Sequence, residues 1–249
     1  QINFRQMKSK LILALAISLG VFSSCDSDSK KIEFDGVGDI YVRCQIIEGV
    51  TQYAPVIYAY GNMYMASSTV AHSDSDSPVI TLESEVNNAT NFSAIPTTQD
   101  YSTTDVKNGT YNFTLTSSDN EVLNVADKLL EVRIAPLEIS KLEYTKEENK
   151  LDIEWGTVES RDMYHVKIAK AIDGQIIYSS NRLNNNSLIV TPTSTGWDRN
   201  YQMKAGTTYT VSVSAYKFES VTTQNGYHIN QESVDYREIE WGKDSIYNF

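Results

Sequence analysis

The chain carries few side chains that could act in acid–base, nucleophilic or metal chemistry. Its 249 residues include three histidines, His72, His165 and His228, and two cysteines, Cys25 and Cys44. The sequence has no pair of metal-binding histidines at helical spacing, no nucleophile elbow and no glycine-rich phosphate loop. These patterns predict a protein that is not an enzyme and that has no catalytic residues, no cofactor and no metal site.

One acidic stretch begins like a calcium-binding loop. Asp74, Ser75 and Asp76 open it, and an acidic residue falls at its twelfth position. Pro78 and Val79, however, stand at the fifth and sixth positions, where a ligand and a glycine belong. We therefore expect a solvated turn here.

The other reactive side chains lie in segments with alternating apolar residues or in polar loops. Cys44 falls on the apolar side of its segment and is expected to be a buried thiol. His165 falls opposite the apolar side and is expected to face solvent, while His72 and His228 lie in polar segments. A glycosidase needs only two carboxylates at a suitable separation, and no pattern among the 32 acidic residues marks such a pair.

Aromatic side chains remain as candidates for ligand binding, because their flat apolar faces with polar tips suit sugar rings. The stretch Phe218–Asn230 is interpreted as a long loop between the last two strands of the chain. The candidate ligand-binding residues are Tyr227, His228, Asn230, Trp197 and Tyr58. The alternative, in which these aromatic residues pack in the core or pair across strands, stays open.

The elements that position these residues are predicted to be strands. Apolar alternation recurs along the chain, separated by turn residues at intervals of about ten residues. Two stretches echo each other, Asn108–Asp119 and Ala205–Tyr216, and both place a tyrosine, Tyr111 and Tyr209, at the start of a strand. The pattern predicts an all-β fold with two β-sandwich domains in tandem.

Three segments of the second half resemble a fibronectin type III domain. Leu151–Trp155 resembles its strand B, Tyr164–Ile168 its strand C, and Met203–Tyr209 the corner before strand F. The resemblance covers about residues 136–243, followed by a tail at 244–249. It implies that Trp155 and Tyr164 lie in the core and that the Tyr209 hydroxyl bonds to the backbone. It implies a fold and not an activity.

The first half, residues 33–135, resembles a bacterial immunoglobulin-like domain. The resemblance places Tyr111 in the penultimate strand and Lys128–Ala135 in the last strand, with Leu130, Val132 and Ile134 pointing inward. The very short join to the second domain implies a stiff pair.

The N-terminal segment indicates where the protein resides. An apolar run, Leu11–Phe22, follows two lysines and has the length of a secretory signal, too short to span a bilayer. The sequence Phe22-Ser23-Ser24-Cys25 resembles the lipobox of bacterial lipoproteins, and the acidic, serine-rich residues after it resemble the tether of Bacteroidota-type surface lipoproteins. The resemblance implies a signal peptide at 1–24, acylation of Cys25 and a flexible tether at 25–32.

Charge restricts the partners. Three of the 21 basic residues lie in the signal segment, which leaves 18 basic against 32 acidic residues and a net charge of −14. This excess of acid argues against nucleic acid as a partner, since phosphate binding needs a basic patch.

We therefore expect a non-enzymatic lipoprotein, held in the outer membrane by its lipid and exposed at the cell surface, that acts as a binding module for polysaccharide. Two alternatives remain. The protein could be a structural spacer or a subunit of an outer-membrane assembly that pairs with partner surface proteins. Glycoside hydrolysis agrees less well with the sequence.

Overall fold

The computed structural model describes residues 32–248 apart from 75, 85–88, 200, 202, 224–225 and 243–244; it describes the backbone but not the side chains of 220–223, 226–227 and 245–248. Cys25 and the signal segment lie outside the described residues. Within the described part of the chain, no helix is long and apolar enough to cross a membrane.

The described chain is built of strands, as the alternating pattern predicted. The strands are β1 Gly36–Ile47, β2 Val50–Gly61, β3 Met65–His72, β4 Ile80–Leu82, β5 Asn91–Ala94, β6 Gly109–Ser117, β7 Val122–Leu129, β8 Ile139–Thr145, β9 Lys150–Trp155, β10 Met163–Lys170, β11 Ile176–Ser179, β12 Ser187–Val190, β13 Thr208–Thr223, β14 Gly226–Glu240 and β15 Ser245–Asn248. A single turn of 3₁₀-helix lies at Thr98–Asp100. The all-β fold is confirmed.

The strands form three sheets, and one of them serves both halves of the chain. A seven-stranded sheet, which we call the shared sheet, has the order β11-β10-β13-β14-β1-β2-β5. Its two halves are joined by β1 and β14, which run parallel and pair over Val42–Cys44 and Gln231–Ser233. Four-stranded sheets of order β4-β3-β6-β7 and β12-β9-β8-β15 supply the second layers of two sandwiches.

The first core lies between β1 and β2 of the shared sheet and the sheet that contains β6. Ile40, Ile57, Phe113 and Leu115 are completely or almost completely buried there. Gly38 is required at this contact, since a Cβ atom on it would lie 2.3 Å from the Phe113 ring. The Tyr111 hydroxyl donates a hydrogen bond of 2.7 Å to the carbonyl oxygen of Lys107, four residues upstream.

The second core lies between the other half of the shared sheet and the sheet that contains β9. Trp155 packs edge-on against Tyr164 with ring centroids 5.4 Å apart, and both residues are almost fully buried. The Tyr209 hydroxyl accepts a 3.0 Å hydrogen bond from the backbone N–H of Lys204 and lies 2.8 Å from the hydroxyl of Tyr201. Tyrosine hydroxyls thus fix the approach to a strand in both halves, and the bond of Tyr209 to the backbone is the one that the fibronectin resemblance implied.

The segment between the two sandwiches differs from its prediction. β7 ends at Leu129, and the interpretation of Lys128–Ala135 as a strand is wrong, because residues 130–138 form no strand. Val132 is 48% exposed, whereas Ile134 is buried as expected. Side chains of β14 hold this segment through hydrogen bonds to its backbone. Asn230 Oδ1 accepts from Leu130 N at 2.7 Å, and Asn230 Nδ2 donates to Val132 O at 2.7 Å.

The same pattern continues along the connection. Gln231 Oε1 accepts from Ile134 N at 2.6 Å, Ser233 Oγ from Leu137 N at 2.7 Å, and Asp235 Oδ2 from Ile139 N at 2.8 Å. Polar side chains of β14 therefore accept and donate the hydrogen bonds that the backbone of a neighbouring strand would otherwise make with this segment.

Two further expectations are corrected. The stretch Phe218–Asn230 is not a loop, because β13 and β14 continue through most of it as a long hairpin in which Thr222 pairs with Tyr227. The expected tail at 244–249 is also wrong, since Ser245–Asn248 forms β15 and pairs antiparallel with β8.

Candidate ligand-binding face

The shared sheet carries aromatic residues on the side turned away from the two cores. Ile40 and Val42 of β1 point into the first core, so the alternation sends Asp39, Tyr41 and Arg43 to the opposite side. Register then places Tyr58 of β2 beside Asp39. We call this surface the tyrosine face; its members are Tyr41, Tyr58, Tyr60, Tyr216 and Tyr236.

The rings of the tyrosine face are aligned. Tyr41 and Tyr58 stack with centroids 6.4 Å apart and planes 24° apart, and Tyr58 and Tyr60 stack at 6.0 Å and 11°. Tyr58 and Tyr60 are partly exposed, and Tyr236 is 42% exposed. Part of the ring surface of these three residues is therefore open to a ligand, whereas Tyr41 and Tyr216 are buried.

A buried ion pair lies at the centre of this face, where β1 and β14 meet. Arg43 Nε lies 2.7 Å from Glu232 Oε2. The other carboxylate oxygen of Glu232 accepts hydrogen bonds from Ser214 Oγ at 2.8 Å and Tyr216 OH at 2.9 Å. Burial acts to raise the pKa of the Glu232 carboxyl, but the Arg43 guanidinium outweighs it and holds the pKa below its usual value. The pair is therefore ionised, and it fixes the tyrosine hydroxyls around it.

A group of titratable side chains adjoins the tyrosine face just beyond the end of the pairing between β1 and β14. Asp39 of β1, Asp127 of β7 and His228 of β14 offer ligand atoms that all lie within 4.8 Å of one another. His228 Nδ1 lies 3.4 Å from Asp39 Oδ1, and the neighbouring carboxylate raises the pKa of His228. We call these three residues the histidine–carboxylate cluster.

Backbone groups hold one carboxylate of the cluster in place. Asp127 Oδ2 accepts a 2.9 Å hydrogen bond from Ile40 N, and its Oδ1 accepts a 2.7 Å bond from Lys128 N. Glu219 of β13 adds a third carboxyl beside the cluster. Burial, followed by the charges of Asp127 and Asp39, raises the pKa of Glu219 to about 7.

Of the five predicted ligand-binding residues, the structure places two at the candidate site. Tyr58 lies on the tyrosine face and His228 in the histidine–carboxylate cluster, so the two are neighbours of Asp39. Tyr227 belongs to β14, but its side chain lies outside the described atoms. Asn230 is fully buried by its bonds to the connecting segment and offers no surface to a ligand.

Trp197 packs against the second core instead of standing free. Its Nε1 donates a 2.8 Å hydrogen bond to Thr191 O, and its ring lies edge-on to Tyr178 with centroids 4.8 Å apart. The half-buried indole therefore has a structural contact on one side. This agrees with the alternative interpretation, in which the candidate aromatic residues pack in the core.

The remaining histidines take structural positions. His165 is 4% exposed, so the expectation of a solvent-facing residue is wrong; Nε2 lies 2.8 Å from Ser179 Oγ and 3.0 Å from Ser180 O. Burial, helped by Lys167, lowers the pKa of His165 to about 4. His72 ends β3, where its Nε2 lies 2.9 Å from Asn108 O.

The acidic stretch that begins like a calcium-binding loop makes an ordinary surface ion pair. Asp74 contacts the ammonium group of Lys107, which lowers the pKa of Asp74. Ser75 and Glu85, also part of the comparison, lie outside the described residues.

Comparisons with known proteins add little to this geometry. No family model matches the chain, and no curated protein matches it. Among solved structures, the BSP domain of a biofilm-associated protein aligns over 81% of this chain and 51% of its own at 10% identity, with a TM-score of 0.26. A β-glucuronidase of Lactobacillus rhamnosus aligns over 83% of this chain and 45% of its own at 10% identity, with a TM-score of 0.25. The chain thus spans about half the length of each structure, and scores this low support neither a family nor a function.

Proposed function

We propose that this protein is a non-enzymatic glycan-binding module and that the tyrosine face is its ligand site. The observation that carries the proposal is the row of stacked rings formed by Tyr41, Tyr58 and Tyr60 on one side of the shared sheet. A rigid sheet holds the rings in place, so a ligand does not have to order them on binding.

The chemistry of the face favours a neutral sugar polymer. Apolar faces of sugar rings stack on tyrosine rings, while their hydroxyl groups find acceptors in the tyrosine hydroxyls and in the Asp39 carboxylate beside Tyr58. The chain carries a net charge of −11, and three carboxyl groups lie at one end of the face. Anionic polysaccharides would therefore be repelled, and we propose neutral ones.

Tyr58→Ala and Tyr60→Ala should each weaken binding of a soluble neutral polysaccharide about fivefold, since a stacked aromatic contact contributes about 1 kcal/mol. Retention in native gels containing dextran, mannan or xylan measures the affinity. Tyr64→Ala is the matched control, because Tyr64 is 60% exposed and lies outside the tyrosine face. If the wild type is retained by none of these polymers, or if the Tyr58→Ala/Tyr60→Ala double variant is retained like the wild type, the proposal fails.

We also propose that the module is anchored by a lipid on Cys25 in the outer membrane, facing outward. The support is the sequence from Met7 to Cys25, with its short apolar run ahead of the cysteine. Cys25→Ala should abolish incorporation of a fatty-acid probe during growth, because the thiol is the acyl acceptor. Label retained in this variant, with Cys44→Ala as the control, would rule the anchor out.

A further inference from the structure

We propose that Asp39, Asp127 and His228 form a binding site for a divalent transition-metal ion, with Zn²⁺ as the ion that the ligand set fits best. The inference does not depend on glycan binding. No local sequence pattern marks the site, because its three residues come from β1, β7 and β14 and meet only in the folded chain.

The donor set is the first argument. One imidazole nitrogen and two carboxylate oxygens converge within 4.8 Å of one another, a spacing that a single ion can span. Zinc binds histidine nitrogen and carboxylate oxygen, and it commonly takes three protein ligands with an open fourth position. Calcium and magnesium prefer oxygen ligands alone and would gain little from His228.

Charge is the second argument. Asp39, Asp127 and Glu219 bring three carboxyl groups together at partly buried positions. The described ion pair of these carboxyl groups is that between Asp39 and His228. Clustered, partly buried negative charge is costly; His228 can offset part of it when protonated, and a divalent ion would offset more.

Unsatisfied oxygen atoms are the third argument. Asp39 Oδ1 is shielded from solvent and its neighbour is His228, while Glu219 Oε1 is shielded and has no hydrogen-bond donor among the described residues. Buried polar atoms almost always have a partner, and a bound ion can serve as that partner. Asp39 Oδ1 is also the atom that faces His228 Nδ1 at 3.4 Å.

Preorganisation is the fourth argument. Backbone N–H groups of Ile40 and Lys128 each donate to one oxygen of Asp127. Ligating carboxylates are typically oriented in this way by hydrogen bonds from outside the site, and each oxygen keeps a lone pair for an ion. The Asp127 side chain is therefore already held in position before an ion arrives.

Titration of untagged, chelator-treated protein with Zn²⁺ alone tests the site. We expect one ion per chain and a melting temperature that rises by about 5–10 °C when free Zn²⁺ is about 100-fold above its dissociation constant. His228→Ala and Asp39→Asn should remove both effects, and circular dichroism shows that each variant is folded. His72→Gln, which removes a histidine outside the cluster, should bind like the wild type.

Other outcomes overturn the assignment. Zinc binding that survives in both His228→Ala and Asp39→Asn would place the ion elsewhere. Stabilisation by Ca²⁺ but not by Zn²⁺ would exclude a role for the imidazole. A wild type that neither binds nor is stabilised by Zn²⁺ would refute the site, and because no polysaccharide is present the result is independent of the glycan proposal.

Discussion

Replacing Arg43 by methionine should lower the free energy of unfolding by about 3–5 kcal/mol, because it leaves a buried carboxylate without its counter-ion. Glu232 is 4% exposed, and the guanidinium of Arg43 lies 2.7 Å from it. Ser214 and Tyr216 satisfy the other carboxylate oxygen but carry no positive charge. Arg43 and Glu232 also lie on β1 and β14, and the pairing of these strands is the only described one between the two halves of the shared sheet. Loss of the ion pair should therefore weaken both sandwiches.

The double variant Arg43→Met/Glu232→Met separates charge from packing. It removes both ions and should recover much of the stability lost in Arg43→Met, since an apolar pair of similar volume often replaces a buried ion pair at little cost. Lys150→Met removes a surface ion pair with Glu148 and should leave the midpoint nearly unchanged. Urea unfolding measures all three; an Arg43→Met curve that overlays the wild type would mean that Glu232 is solvated or neutral.

Trp155→Ala should also lower the free energy of unfolding by about 3–5 kcal/mol, the usual cost of emptying a large aromatic site in a core. Trp155 is 1% exposed and packs edge-on against Tyr164, whose hydroxyl accepts a 2.8 Å hydrogen bond from Val158 N. For a chain of this size the loss corresponds to a fall in melting temperature of roughly 6–20 °C.

Two variants calibrate this result. Trp155→Phe retains an aromatic ring and should cost clearly less than Trp155→Ala. Trp197→Ala removes an indole that is only half buried, and it should also cost less. An unfolding midpoint that does not move in Trp155→Ala would show that the second core does not depend on this ring.

The strands and cores were predictable where a local pattern encodes them. Alternation in Leu151–Trp155 and in the residues that follow Tyr209 is a property of each strand alone, and the fold follows it. The polar residues of Phe218–Asn230 led to its interpretation as a loop, because consecutive polar residues are typical of loops. In the structure Asn230 and the polar residues that follow it are buried in the middle of a sheet, since their partners are a distant backbone segment and Arg43.

The candidate site was predictable only in fragments. Tyr58 and His228 were singled out for their own chemistry, but their neighbours Asp39, Asp127 and Glu219 belong to other strands. Strand order and register decide which acidic residues meet, and the local spacing of residues encodes neither of them. Among 32 acidic residues, no sequence pattern distinguishes the three that converge.

The parallel pairing of β1 with β14 has a consequence for how the chain is made. Arg43 and Glu232 are 189 residues apart, so one edge of the first sandwich waits for a strand that is synthesised much later. Closing so long a loop is entropically costly and slow, and an unpaired strand edge is prone to bind other chains meanwhile. The first sandwich is therefore completed only after the second has been synthesised, and its exposure to chaperones during that interval is a property of its topology.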